Sequence, residues 1–141
     1  MDTFSPAERS RVMARVKSKN TAPELAVRRL VHGMGYRFRL HDAALPGRPD
    51  LALRRLRTVV FVHGCFWHRH SRCKRATTPS SRTEYWVRKF ARNKTRDADN
   101  RKALRKLGWR VIVVWECELR RPERLKHRLD ALLSHAQEDG S

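Results

Sequence analysis

The densest chemistry in the chain is the run His63-Gly64-Cys65-Phe66-Trp67-His68-Arg69-His70-Ser71-Arg72-Cys73. Cys65, His70 and Cys73 put two thiols and an imidazole within nine positions, a spacing that suits a tight loop around tetrahedral Zn²⁺. A fourth ligand is needed, and of the three cysteines only Cys117 is left. Three sulfurs and one nitrogen leave no open position, so such a zinc is structural. The plainer alternative is a set of buried free thiols and a polar core histidine. A second constellation is Pro49-Asp50 followed by Phe61-Val62-His63. An aspartate that starts one hairpin arm, opposite the end of the other, can hold a hard Mg²⁺ through carboxylate oxygen. An aspartate after proline is also an ordinary turn residue. His63 and His68 add imidazoles, which stabilise charge and move protons near neutral pH beside a metal-bound phosphate. Glu24 reads equally as the acid of a helix capping box and as a catalytic group.

Aromatic residues form the third set. Phe66 and Trp67 stand in a polar, basic loop, and Trp86 opens a basic segment with Arg88, Lys89, Arg92, Asn93 and Lys94. Aromatics beside phosphate-binding groups suit wedging between base steps, and packing over the loop is the alternative. Met13, on a basic amino-terminal segment, is either a helper of that wedge or a simple hydrophobic contact.

These groups need elements to hold them. Ser5-Pro6-Ala7-Glu8 carries an N-cap serine, a proline at the first helical position and a capping acid, which predicts a basic helix through about Val16. Thr21-Ala22-Pro23-Glu24 repeats the signal and opens a helix with Leu25, Leu30, Val31 and Met34 on one stripe, ended by Gly33 and Gly35. Tyr36, Phe38 and Leu40 alternate with Arg37 and Arg39 as a strand buried on one face. Asp50 to Leu53 and Thr58 to Val62 flank a basic turn as a hairpin whose second arm is central in the sheet. A helical segment from Arg82 to about Leu107 is expected to break near Lys94 to Asp97 and to stop at Gly108. Trp109 to Trp115 is nearly continuous in apolar character, which predicts a strand buried on both faces. A last helix starts at Pro122 and carries Leu125, Leu129, Leu132 and Leu133, with residues 134–141 as a frayed tail. The order α-α-β-β-β-α-β-α is an α/β fold, a mixed sheet flanked by helices.

Composition narrows the partner. The 141 residues hold 33 Lys and Arg and a formal net charge of +19, spread along the whole length, which calls for a polyanion. No apolar run nears the ~20 residues of a spanning helix and no lipidation signal is present, so the expected polyanion is nucleic acid rather than membrane. The start Met1-Asp2-Thr3-Phe4-Ser5-Pro6 lacks the features of a signal peptide, and a cytoplasmic location is expected. No linker composition interrupts the chain, which reads as one domain over 1–141 and, with no dimer seam, as a monomer.

The segments Asp42-Ala43-Ala44-Leu45-Pro46-Gly47-Arg48-Pro49-Asp50, Phe61 to His68, Arg82-Thr83-Glu84-Tyr85-Trp86, Leu107 to Val111 and Val114-Trp115-Glu116-Cys117 together closely resemble the very-short-patch mismatch repair endonucleases. The resemblance covers about Ser10 to Leu125. It implies a restriction-endonuclease-like fold of the PD-(D/E)xK type with a structural zinc loop, and hydrolysis of one phosphodiester 5′ of a thymine mispaired with guanine, the mispair left when 5-methylcytosine deaminates. By that resemblance Asp50 and the main-chain carbonyl of Val62 hold Mg²⁺. Phe61-Val62-His63 stands where related nucleases have an acid, a spacer and a lysine, and a threonine is the family's expected residue at 62. Asp50, His63, His68 and Glu24 are then the catalytic set, Cys65, His70, Cys73 and Cys117 the zinc ligands, and Phe66, Trp67 and Trp86 the wedge, with Met13, Lys89 and Asn93 also on DNA. The family further suggests links to a DNA cytosine methyltransferase and to mismatch-repair proteins. Arg69, Ser71 and Arg72 depart from its pattern, which has a denser histidine run and a closer cysteine. Two other readings remain: a nuclease of the same fold with a different target, and a zinc-stabilised DNA-binding protein without catalysis. The second has no use for Asp50 with His63 and His68.

Overall fold

The computed structural model describes residues 21–66, 68–70, 73, 76 and 79–139, the last three through their backbone alone. The expected helix from Ser5 to Val16, with Met13 on it, and Trp67 lie outside the described residues. The elements in chain order are α1 (Ala22–Gly33), β1 (Arg39–Leu40), β2 (Leu51–Leu53), β3 (Thr58–His63), α2 (Thr83–Lys106), β4 (Arg110–Trp115) and α3 (Pro122–Asp139), with 3₁₀ turns at Arg54–Leu56 and Glu116–Arg120.

Local chemistry sets the ends of these elements. Thr21 caps α1 by accepting the Glu24 N–H on its hydroxyl at 3.4 Å, with proline in the first turn, so an N-terminal donor is satisfied where proline has none to lose. Gly35 takes φ +91 just past the helix, a conformation without steric cost only for glycine. At the far end of α2 the Arg57 guanidinium donates to the Leu107 carbonyl at 2.8 Å, which pairs a carbonyl the helix leaves over and ties the β2–β3 turn to the start of β4.

The sheet runs β1-β2-β3-β4. β1 and β2 pair antiparallel, as do β2 and β3, while β3 and β4 are parallel in the register Thr58↔Arg110 to His63↔Trp115. α2 is the crossover that a parallel pair requires. Strand alternation divides the core. Leu51, Leu53, Val60, Ile112 and Val114 pack with Val27 and Val31 of α1 and Leu125, Leu129 and Leu133 of α3. Ala52, Val59 and Phe61 pack with Leu104 of α2 and with Trp109. Helices thus cover both faces, and each fully buried leucine contributes about 1.5–3 kcal/mol through area removed from water. Because β3 and β4 are parallel, their carboxyl ends, His63 and Trp115, meet at one edge of this sandwich.

Four expectations need correction. The strand at Tyr36 to Leu40 is reduced to Arg39–Leu40, both exposed; Tyr36 and Phe38 pack on the core outside the ladder, where the turn at Gly35 sends them. α2 is unbroken through Lys94 to Asp97. β4 alternates, with Ile112 and Val114 buried and Val111, Val113 and Trp115 half-buried, because it is an edge strand. The tail expected to fray at 134 continues as helix to Asp139, with Ala136 2% exposed. No helix among the described residues is long and apolar enough to cross a membrane.

Candidate active site

The residues singled out in the sequence gather around the carboxyl end of β3. Asp50 precedes β2, and its Oδ2 accepts the N–H of Val62 at 2.6 Å across the hairpin. Burial above all, then the charge of Glu24, pushes its pKa up to about 7 against the pull of the Val62 hydrogen bond and Arg28. An acid in such surroundings gains strongly from a cation beside it. Glu24, 8% exposed, reaches from the first turn of α1 to Arg28 at 3.3 Å and to Nε2 of His41 at 3.4 Å. Glu24, His41 and Asp50 each bring one ligand atom to within 4.8 Å of the others. Two carboxylates in one group suit a hard divalent ion such as Mg²⁺.

On the opposite wall are two imidazoles. His63 ends β3, and its ring stacks on that of His68 at 3.8 Å and 5°, with the edge of Trp115 at 5.3 Å. Its Nδ1 is buried without a hydrogen-bond partner. Burial first, and then His68, lowers its pKa to about 3, so this ring is neutral at pH 7. Nδ1 of His68 meets Oδ2 of Asp97 on α2 at 2.5 Å. Burial works to raise the Asp97 pKa, but the His68 hydrogen bond first, then the charges of His68 and Arg96, bring it below the ordinary carboxylate range. A carboxylate on Nδ1 fixes the tautomer and orientation of an imidazole and leaves Nε2 for chemistry. Glu24, Asp50, His63, His68 and Asp97 all line one cleft of about 780 Å³, together with Arg48, Arg96 and Asn100.

Asp97 and His41 were not singled out from the sequence. For Asp97 a signal existed: Asn93, Asp97 and Asn100 recur at helical spacing on an otherwise basic segment, a stripe hidden by the expected break in α2. His41 had no such signal, since it stands in a turn whose path is set by tertiary contacts.

The thiol cluster lies just beyond. Cys65, His70, Cys73 and Cys117 each bring a ligand atom to within 4.8 Å of the others, with Nδ1 of His70 at 3.7 Å from Cys65 Sγ and 3.4 Å from Cys117 Sγ. The His70 ring stacks on Trp115 at 4.2 Å. Burial above all, then the neighbouring thiols of Cys117 and Cys73, pushes the Cys65 thiol up to about 12. Three sulfurs cannot all ionise without a cation among them, and S₃N is a donor set that zinc takes. The residues fit that metal.

Phe66 lines the cleft and sits edge-on to Phe90 at 5.1 Å and to Trp86 at 6.0 Å. Phe66 and Trp86, expected as a wedge, stand in one aromatic cluster, but Trp86 is 3% exposed and packed at its base rather than presented to the surface. The Lys89 ammonium lies 5.7 Å from the Trp86 ring. Asn93 is 4% exposed, and its side-chain oxygen accepts from Arg96 at 3.1 Å; of these two, Arg96 lines the cleft.

A cleft at the carboxyl ends of parallel strands, walled by acids and a carboxylate-held imidazole on a strongly basic α/β chain, brings together the groups that hydrolysis of a phosphodiester uses. The model of the family described as "DNA mismatch endonuclease Vsr" matches residues 1–75. The chain is 50% identical over 132 residues to "Type II nicking enzyme V.XorIIP" of Xanthomonas oryzae pv. oryzae, covering 94% of this chain and 96% of that protein. It is 43% identical to "Type II nicking enzyme V.NmeAIP" of Neisseria meningitidis, with 94% of each covered, and 44% identical to "DNA mismatch endonuclease Vsr" of Escherichia coli K12, covering 88% of this chain and 79% of that one. The chain belongs to the Vsr family of DNA mismatch endonucleases, and it is a DNA endonuclease. The reading as a binding protein without catalysis is thereby set aside.

Proposed function

We propose that the chain is a Mg²⁺-dependent endonuclease that nicks one strand of double-stranded DNA 5′ of the thymine in a T:G mispair, the first step of very-short-patch repair. The observation that carries the proposal is the meeting of Glu24 and Asp50 with the His68–Asp97 pair in one cleft. Cutting at a mispair in one strand agrees with the names of the relatives, a nicking enzyme and a mismatch endonuclease. The proposed frame is the PD-(D/E)xK fold, with Phe61-Val62-His63 in place of the usual acid, spacer and lysine.

Asp50, the Val62 carbonyl and Glu24 would hold Mg²⁺, which when bound supplies Lewis acidity that neutralises charge growing on the phosphate. His68 takes the proton of the attacking water on Nε2 while Asp97 holds Nδ1 and stabilises the imidazolium that forms. His63, stacked on His68, fixes the plane of that ring. Arg48 and Arg96, on the rim, pair with phosphates. Phe66 with Trp67 enters the base stack at the mispair, where unstacking costs less than in a matched duplex, and Trp86 backs them; Met13 and Lys89 complete the DNA contact, while Asn93, expected on DNA, is buried and acts through Arg96, whose guanidinium it accepts from. Cys65, His70, Cys73 and Cys117 would hold a structural Zn²⁺ and so fix the loop bearing Phe66 and His68. The enzyme acts as a single-domain monomer in the cytoplasm, working with a cytosine methyltransferase and mismatch-repair proteins.

The test uses end-labelled duplexes that differ only in T:G or T:A at one position. A Mg²⁺-dependent nick 5′ of the mispaired thymine, absent from T:A, is expected. No nick in several flanking contexts despite tight binding would transfer the cleft to another DNA target.

A further inference from the structure

The metal reading gives no task to the imidazole on the carboxylate side of the cleft. His41 stands in the turn after β1 in left-handed backbone, φ 46, which costs energy for a residue other than glycine and persists where the surroundings over-determine it. Its N–H donates to the carbonyl of Asp50 at 3.4 Å, so the turn is tied to the residue that leads into β2. The ring lies between the two acids, Nε2 at 3.4 Å from Glu24 and Nδ1 at 3.9 Å from Asp50. Arg28, one helical turn after Glu24, donates to Glu24 at 3.3 Å and lies 3.1 Å from Nε2 of His41. A guanidinium only donates, so the tautomer that suits this contact accepts from Arg28 on Nε2 and carries its proton on Nδ1; the link to Glu24 then runs through Arg28, and Nδ1 stands at 3.9 Å from Asp50. The neighbouring Asp42 is engaged elsewhere, accepting from Arg54 at 2.7 Å and from the Ala44 N–H at 3.1 Å. His41 does not line the cleft, whereas Glu24 and Asp50 do; it meets both acids from behind.

We propose that His41, backed by Arg28, is a positioning residue that holds Glu24 and Asp50 at the separation a divalent cation needs, and so sets the affinity of the cleft for that ion. The proposal rests on the reading of Asp50 as a metal ligand. Two carboxylates repel each other and drift apart unless something bridges them, and Mg²⁺ tolerates little departure from its geometry. Groups behind the ligands therefore govern affinity, and their loss typically costs about 10–100-fold.

The experiment titrates the full chain with Mg²⁺ alone and with Mn²⁺ alone by calorimetry, without DNA. His41→Asn is the informative variant, because asparagine accepts left-handed backbone but is too short to bridge the acids. Wild-type protein should show a site that Asp50→Asn removes. His41→Asn should weaken that site about 10–100-fold with an unchanged circular-dichroism spectrum and melting temperature. His41→Gln, whose amide can accept from Arg28 and donate to Asp50, should recover most of the loss. Wild-type affinity in His41→Asn overturns the positioning role and leaves Asp50 as a ligand. Cation binding untouched by Asp50→Asn overturns both. A nitrogen coupling to bound Mn²⁺ in electron paramagnetic resonance that disappears in His41→Gln would make His41 a ligand and overturn the positioning role.

Discussion

Two clusters of metal-binding residue types flank the end of β3, and they are built from opposite materials. The thiol cluster takes Cys65, His70 and Cys73 from one loop and adds Cys117 from the turn after β4. Its donors are three sulfurs and an imidazole nitrogen, the number a tetrahedral ion would need, and none of its residues lines the cleft. The acid–imidazole cluster draws Glu24 from α1, Asp50 from the approach to β2, His63 from β3, His68 from the loop and Asp97 from α2. Its donors are hard or basic, and they face an open volume. A closed soft site contributes stability, whereas an open hard site leaves room for a phosphate and a water. Between the two, the stretch from His63 to His70 supplies residues to both, so the proposed zinc fixes the loop that presents His68 and Phe66.

Substitutions on each side should separate these roles. Asp50→Asn should bring nicking of a T:G duplex below detection while gel-shift binding of that duplex persists; retained turnover would remove the metal role from Asp50. His68→Ala should lower kcat by about 10²–10⁴-fold, and Asp97→Asn by a smaller factor of about 10–100 with KM unchanged, since only the orientation of the ring is lost. An Asp97→Asn effect confined to KM would place Asp97 on the substrate rather than behind His68. Cys117→Ser should leave nicking at low temperature least affected, yet release zinc and lower the melting temperature by about 10 °C or more. If zinc stoichiometry, read by a chromogenic chelator after denaturation, stays at the wild-type value, Cys117 is not a ligand and the contrast between the clusters fails.

Much of this arrangement was legible in the chain. The spacing of Cys65, His70 and Cys73 is local, and a loop can bring such residues together whatever the rest of the fold does. The hairpin that sets Asp50 against Val62 follows from two apolar runs about a short turn. The capping signal at Thr21 places Glu24 in a first helical turn. By contrast, Asp97 was hidden by reading a break into α2. The basic and polar run from Lys94 to Asp97 lacks apolar periodicity, yet Phe90 and Leu104 anchor the helix on either side of it.

The sequence alone determined which residue types are present, the caps that open the helix at Thr21 and the one at Pro122, and that a chain with charge +19 suits a polyanion, because caps and net charge depend on near neighbours or on none. Only the tertiary structure decided that His68 meets Asp97 from 29 positions away, that His41 stands behind Glu24 and Asp50, and that Trp86 is buried beneath Phe66. The register of β3 on β4 and the packing of α1 and α2 on opposite faces of the sheet bring these side chains together, and such contacts arise from the whole core.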